Sequence, residues 1–258
     1  MGMTTELLPP FPQLQFVSAR LTPSSPFLIM KKMEPLLTSV DAVLFDLDGT
    51  LVETNIDFPL MKREMLALAV QAGLTSEAVQ GLDILAVVET ADHFLASQGK
   101  TGDSARLRSR AMNILEEIEV HHANLTKEIP FAREMFEELR TRFIRIGIVT
   151  RNCRRASEIS LAITRLQPDI LICREDTKRH KPHPEQLYKA LSHLNARPRN
   201  SIMVGDHIMD IQSGKAAGMK TIGFLRETRH EGFFDEIAPD LVARDLHEVL
   251  DAIIRRDS

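Results

Sequence analysis

A doubly wound, parallel α/β sheet interrupted by one inserted α-helical segment is the fold class the sequence predicts. Three observations carry it. From Pro130 onward, short apolar runs alternate with stretches of helical period, the order that builds a parallel sheet with helices on both faces. About 75 residues of helical period separate the first apolar run from the others. The length of 258 residues, 43% hydrophobic and 26% charged, fits one large globular domain or one domain carrying an insert. The charges nearly cancel, with 32 Lys and Arg against 36 Asp and Glu for a net −4, so there is no long basic stripe to drive nucleic-acid binding. No run of about 18 apolar residues is present to span a membrane.

Residues 1–38 differ from the rest of the chain. They hold six of the thirteen prolines and only two acids, Glu6 and Glu34, which predicts an extended or disordered arm. An over-extended gene start, with Met30 or Met33 as the later initiator, is the other reading of this arm, and organelle targeting ranks behind both. The first strand is expected at 42–46, the run AVLFD. Leu60, Met61, Glu64, Met65, Leu68 and Ala69 then fall at helical spacing. So do Leu82, Leu85, Ala86 and Glu89, and after them Ala111, Ile114, Leu115 and Ile118, before a break at Pro130.

Phe131, Met135, Leu139 and Phe143 mark one face of the next helix. A strand at 144–149 (IRIGIV), a helix over 154–165 and a strand at 169–172 come next. A helix over 184–194 begins on proline, where a missing N–H is harmless. Strands at 201–205 (SIMVG) and 220–224 (KTIGF) flank a helix over 208–218 closed by glycine. An edge strand at 240–243 and a helix over 246–254 complete the chain. Cys153 and Cys173 read as small buried hydrophobes in a reducing compartment.

Ligands of such sheets bind beyond the carboxyl ends of the strands. The polar residues there are Asp46 and Asp48 in DLDGTL, Thr150 and Asn152 in IVTRN, Lys181 in HKPHP, and Asp206 and Asp210 in GDHIMD. Any one aspartate alone reads as a helix cap; together, each after an expected strand, they read as a site. Four carboxylates in one place repel, and a hard divalent cation such as Mg²⁺ makes the grouping tolerable. Lys181 adds a compact positive charge, Thr150 a hydroxyl, and Gly49 a tight turn that turns backbone N–H groups toward an anion. The set suits a phosphate dianion beside Mg²⁺.

These four segments resemble the four motifs of the haloacid dehalogenase superfamily of phosphohydrolases. The likeness covers 41–224, and the stretch after Val52 stands where that superfamily inserts a helical cap. It is nearest to the phosphoglycolate phosphatase-like branch. The resemblance implies a Rossmann-like core of 39–52 and 130–258 with a cap over 53–129, entered near 53–58 and left near 127–130. It implies Asp46 as nucleophile, Asp48 as general acid and base, Thr150 and Lys181 on the phosphoryl group, and Asp46, the Asp48 backbone carbonyl, Asp206 and Asp210 around Mg²⁺. Asn152 and Gly49 would help to hold the phosphate. Arg151, where many relatives have Asn directly after the Thr or Ser, would meet the phosphate or face solvent.

An acid at Asp48 favours phosphoester chemistry over dehalogenation, since a halide leaves without a proton. The implied activity is hydrolysis of a small phosphorylated metabolite through an aspartyl-phosphate, by a cytoplasmic monomer or homodimer with no nucleic-acid or membrane partner. A sugar-phosphate mutase of the same superfamily and a catalytically idle binding module are the other readings. Substrate contacts are expected from the cap, from the turn around 73–83 or from Glu53 and Asn55.

Overall fold

The computed structural model describes residues 36, 37 and 39–254. In chain order the elements are β1 (Ala42–Phe45), β2 (Val52–Glu53), α1 (Phe58–Gln71), α2 (Ser76–Val79), α3 (Ile84–Ser97), α4 (Thr101–Ala123), β3 (Lys127–Glu128), α5 (Ala132–Thr141), β4 (Arg145–Val149) and α6 (Arg154–Thr164). After these come β5 (Ile170–Ile172), α7 (Glu185–His193), β6 (Ser201–Gly205), α8 (Ile208–Ala217), β7 (Lys220–Phe224), β8 (Leu241–Ala243) and α9 (Leu246–Ile254).

Six strands form one parallel sheet in the order β5-β4-β1-β6-β7-β8. The chain winds outward from β1 through β4 to β5, then returns to the other side of β1 for β6. That reversal opens a crevice at the carboxyl end of β1. β1 is buried on both faces, as its continuous apolar run requires. Val43 and Phe45 pack toward Met135, Phe136 and Leu139 of α5 and Val249 of α9. Ala42 and Leu44 pack the other way, toward Leu187 and Leu191 of α7 and Ala217 of α8. Each fully buried side chain of Leu or Phe size contributes about 1.5–3 kcal/mol.

Helices α1, α3 and α4 share a separate apolar cluster, with Met61, Met65 and Leu68 against Leu85, Val88, Ala111 and Leu115. Asp57 caps α1 by accepting from Leu60 N–H at 2.8 Å. The chain connections from these helices to the sheet run side by side: β2 and β3 pair antiparallel, Val52 opposite Glu128 and Glu53 opposite Lys127.

Several expectations need correction. Phe143 is not on the α5 face: the helix ends at Thr141, and Phe143 turns out at φ 58° with 91% of its surface exposed. Glu89 is exposed, and the buried face of α3 runs through Leu85, Val88, Ala91 and Leu95 instead. The two-residue strands β2 and β3 carry no periodic signal and were not expected. The arm over 1–38 lies outside the described residues except for Leu36 and Leu37. These two pack against the sheet's core, and Leu36 N–H donates to the Ala252 carbonyl. Among the described residues, no helix is long and apolar enough to cross a membrane.

Candidate active site

The site is assembled by strand ends, each delivering a residue into the crevice. Asp46 follows β1, Thr150 follows β4, and Asp206 follows β6 with Asp210 one turn into α8. Asp46, Asp206 and Asp210 are all buried and each offers a carboxylate oxygen within 4.8 Å of the others. Two glycines leave room for this. A Cβ on Gly49, which sits at φ +89°, would lie 2.4 Å from Asp206 Oδ2. One on Gly205 would lie 2.3 Å from Asp210 Cγ. Gly49 makes the expected tight turn, and its own N–H is used within it, donating to the Val52 carbonyl at 2.7 Å.

Lys181 is buried beneath the cluster with all three ammonium protons engaged. It donates to Asp46 Oδ1 at 2.6 Å, Asp210 Oδ1 at 2.6 Å and the Val149 carbonyl at 2.8 Å. Burial alone would lower its pKa, but the Asp210 and Asp46 carboxylates outweigh this and hold it above the usual lysine value. Gln186, buried on the first turn of α7, joins the parts together. Its Oε1 accepts from Lys181 N–H at 3.3 Å, and its Nε2 donates to the Thr150 and Cys173 carbonyls at 2.9 and 3.2 Å.

The Asp206 carboxyl is pushed up to about 8, first by burial and then by the charges of Asp46 and Asp210. No hydrogen bond reaches it among the described residues. Burial raises Asp46 as well, to about 7, with Lys181 opposing and Asp210 adding to the rise. A buried carboxylate without a donor, beside two others, is the donor set a hard divalent cation requires. Asp46, Asp206 and Asp210 therefore fit a hard divalent cation.

Asp48 lines the same cavity as these three, so the four aspartates share one mouth as expected, but its carboxylate is not part of the set of three whose oxygens lie within 4.8 Å. Its Oδ1 accepts from the N–H of Thr54 at 3.1 Å and from the Thr54 hydroxyl. Burial raises its pKa, and the Thr54 bonds only partly offset this. A raised carboxyl at the mouth of a cleft is suited to holding a proton. Thr150 is 2% exposed, and its hydroxyl accepts from Asn152 N–H at 3.1 Å. The Asn152 side chain lines the same cavity.

Arg151 lines the same cavity and does not simply face solvent. Its guanidinium donates to Asp83 Oδ1 at 2.6 Å and approaches Met209 Sδ at 2.7 Å. Asp83 also caps α3 through Leu85 N–H at 3.0 Å, so a sheet residue is tied to the start of an inserted helix. A second tie is buried: Arg174 pairs with Glu119 of α4, Nη2 to Oε2 at 3.0 Å, and Glu119 also accepts Cys153 N–H at 2.8 Å. Glu53, Asn55 and Asp83 line the cavity over Asp46 as expected, while Gly73 does not. Thr54, Gln186 and Glu119 carried no signal in the sequence, because each acts on a partner brought near only by folding. Both thiols are buried, and burial pushes each up to about 12, which leaves them inert.

Comparison with known proteins adds to this geometry. A pyrophosphatase, PpaX, of Bacillus mycoides is 29% identical over 221 residues, 84% of this chain and 98% of its own. A structure described as a predicted phosphoglycolate phosphatase from Haemophilus somnus is similar at a TM-score of 0.55 and 19% identity, covering 83% of this chain and 98% of that one. A β-phosphoglucomutase from Clostridium difficile is similar at a TM-score of 0.55 and 19% identity, covering 81% and 93%. At such identities the two structures speak to the fold alone. The model of the haloacid dehalogenase-like hydrolases matches residues 43–224. Because that match runs from β1 to the end of β7 and takes in every strand end just described, the chain belongs to the haloacid dehalogenase-like hydrolase family.

Proposed function

We propose that this hydrolase is a magnesium-dependent phosphatase of small phosphate monoesters, with Asp46 as nucleophile. The carrying observation is the division of labour between two aspartates two residues apart. Asp46 is held by Lys181 within the acidic cluster, and Asp48, beside it in the same cavity, is held by Thr54 with its pKa raised by burial. The first carboxylate faces an ammonium, which favours its ionised form, while the second accepts only the neutral donors of Thr54, and its burial outweighs them in favour of the protonated acid.

In this reading an Asp46 oxygen attacks phosphorus, and the bond from phosphorus to the ester oxygen breaks. Asp48 gives its proton to that oxygen, which leaves as an alcohol. Asp48 then takes a proton from water, whose oxygen attacks the aspartyl-phosphate, frees Asp46 and releases inorganic phosphate. Lys181 offsets charge on Asp46 and the phosphoryl oxygens, and the Thr150 hydroxyl donates to one of them. Mg²⁺, held by Asp46, Asp206, Asp210 and the Asp48 carbonyl, would supply Lewis-acid neutralisation of the phosphoryl charge. The PpaX relative and membership of a hydrolase family support the reading.

The test is phosphate release from a panel of phosphorylated metabolites, with and without Mg²⁺. Asp46→Asn should lower the rate by about 10⁴-fold or more. Magnesium-dependent release that persists in that variant would remove Asp46 from its role. Conversion of a sugar phosphate to its isomer, without phosphate release, would identify a mutase instead.

A further inference from the structure

Resting on the phosphatase reading, we propose that the substrate's leaving group is uncharged and carries an apolar face. The cavity over Asp46 has a volume of about 770 Å³. Clefts of roughly 300–1,000 Å³ take drug-sized ligands, far more than a bare phosphate with a two-carbon tail. Its walls are of two kinds. The floor is the charged cluster at the strand ends. The side furnished by the inserted segment carries an apolar patch of Ile56, Phe58, Met61, Leu82, Ile84 and Leu115, with Asp83 and Glu119 there already engaged by Arg151 and Arg174. Phe58 leaves 51% of its surface open there, a large hydrophobe kept uncovered at the mouth.

Most of the cations lining the cavity are already matched. Lys181 serves Asp46 and Asp210, Arg151 serves Asp83, Arg174 serves Glu119, and Arg226 serves Glu53 at 2.5 Å. Lys62 and Arg229 have no carboxylate partner among the described residues. The Lys62 ammonium donates to the Leu82 carbonyl. Arg229 is exposed at the rim, its guanidinium 4.5 Å from the Phe233 ring centre. A second anionic group on the leaving side would have to break an ion pair or settle for these two. Pyrophosphate and phosphoglycolate both carry such a group, and neither has an apolar face to set against Phe58 and Ile84.

The experiment uses the full chain with Mg²⁺ and measures phosphate release from ethyl, butyl and hexyl phosphate, whose leaving alcohols differ little in acidity. Pyrophosphate and 2-phosphoglycolate are run beside them. Binding of the same alkyl phosphates to Asp46→Asn is measured by calorimetry. The proposal expects kcat/KM to rise at least tenfold from ethyl to hexyl, with affinity rising in parallel, both flattened by Phe58→Ala. It expects hexyl phosphate to exceed both anionic compounds. Flat rates and flat binding along the series, or preference for pyrophosphate or phosphoglycolate, would overturn it. Binding that tightens with chain length while no compound releases phosphate would support the apolar wall and sink the phosphatase reading instead.

Discussion

Replacing Glu119 by Ala should be among the most damaging single changes outside the strand-end cluster. Glu119 lies on α4 with 1% of its surface exposed, and Arg174, its partner, is 6% exposed. Two guanidinium nitrogens and the Cys153 N–H converge on its carboxylate. The variant would leave Arg174 buried with one carbonyl, that of Arg151 at 3.3 Å, as its remaining acceptor. Breaking a buried pair from one side costs roughly 3–5 kcal/mol, most of it the unpaired charge left behind. For a chain of this size each kcal/mol lowers Tm by about 2–4 °C, so the loss should be roughly 6–20 °C. Thermal unfolding followed by circular dichroism measures it. The effect should survive about 0.5 M salt, since buried charges are poorly screened. Glu119→Leu combined with Arg174→Met removes both charges and should recover most of what Glu119→Leu alone loses. A Tm within about 2 °C of wild type for Glu119→Ala, or no recovery in the double variant, would refute the reasoning.

Two further outcomes are expected. Gly49→Ala puts a Cβ against Asp206 Oδ2 at a positive φ, so it should lower phosphate release at least tenfold while costing only about 1–3 kcal/mol of stability; full activity would show that Asp206 yields freely. Asp240 is raised by burial, but its bonds to Lys220 and to the Thr221 N–H and hydroxyl prevail and leave its pKa below the ordinary value. A depressed carboxylate stabilises the fold above its unfolded pKa, and that contribution fades as pH falls through the folded value. Asp240→Asn should therefore cost about 0.5–1 kcal/mol in urea unfolding from pH 7 down to about 5, with the gap closing below about pH 4. A gap that widens on acidification would reverse the sign of the argument.

Much of the sheet was legible because each strand is an apolar run bracketed by turn residues. SIMVG and KTIGF begin and end as strands where expected, and the helix between them closes on Gly218 in the left-handed region. Phe143 misled because i, i+4 spacing continues past the point where the backbone turns out of the helix. The strand-end residues were legible because a parallel sheet puts its ligands at known places. Their supporting partners were not. Gln186 meets Thr150 across 36 residues of chain, Glu119 meets Arg174 across 55, and Arg151 meets Asp83 across 68. Hydrogen bonds of that reach leave no local pattern, which is why nothing in the sequence tied Arg151 to Asp83 at the start of α3.

The short β2 and β3 ribbon has a consequence for how this chain could vary over time. The excursion that carries α1 to α4 leaves the sheet and returns to it at paired residues, Val52 with Glu128 and Glu53 with Lys127. To the sheet, everything between those pairs is one loop with its ends already closed, and closing a longer loop costs only about 0.6 kcal/mol for each doubling of length. The excursion is thus free to lengthen, shorten or be exchanged without disturbing the registers of β1, β4 and β6. In the proposed reading, selectivity and reaction chemistry fall on opposite sides of that junction, so the first would be able to drift between descendants while the second stayed put.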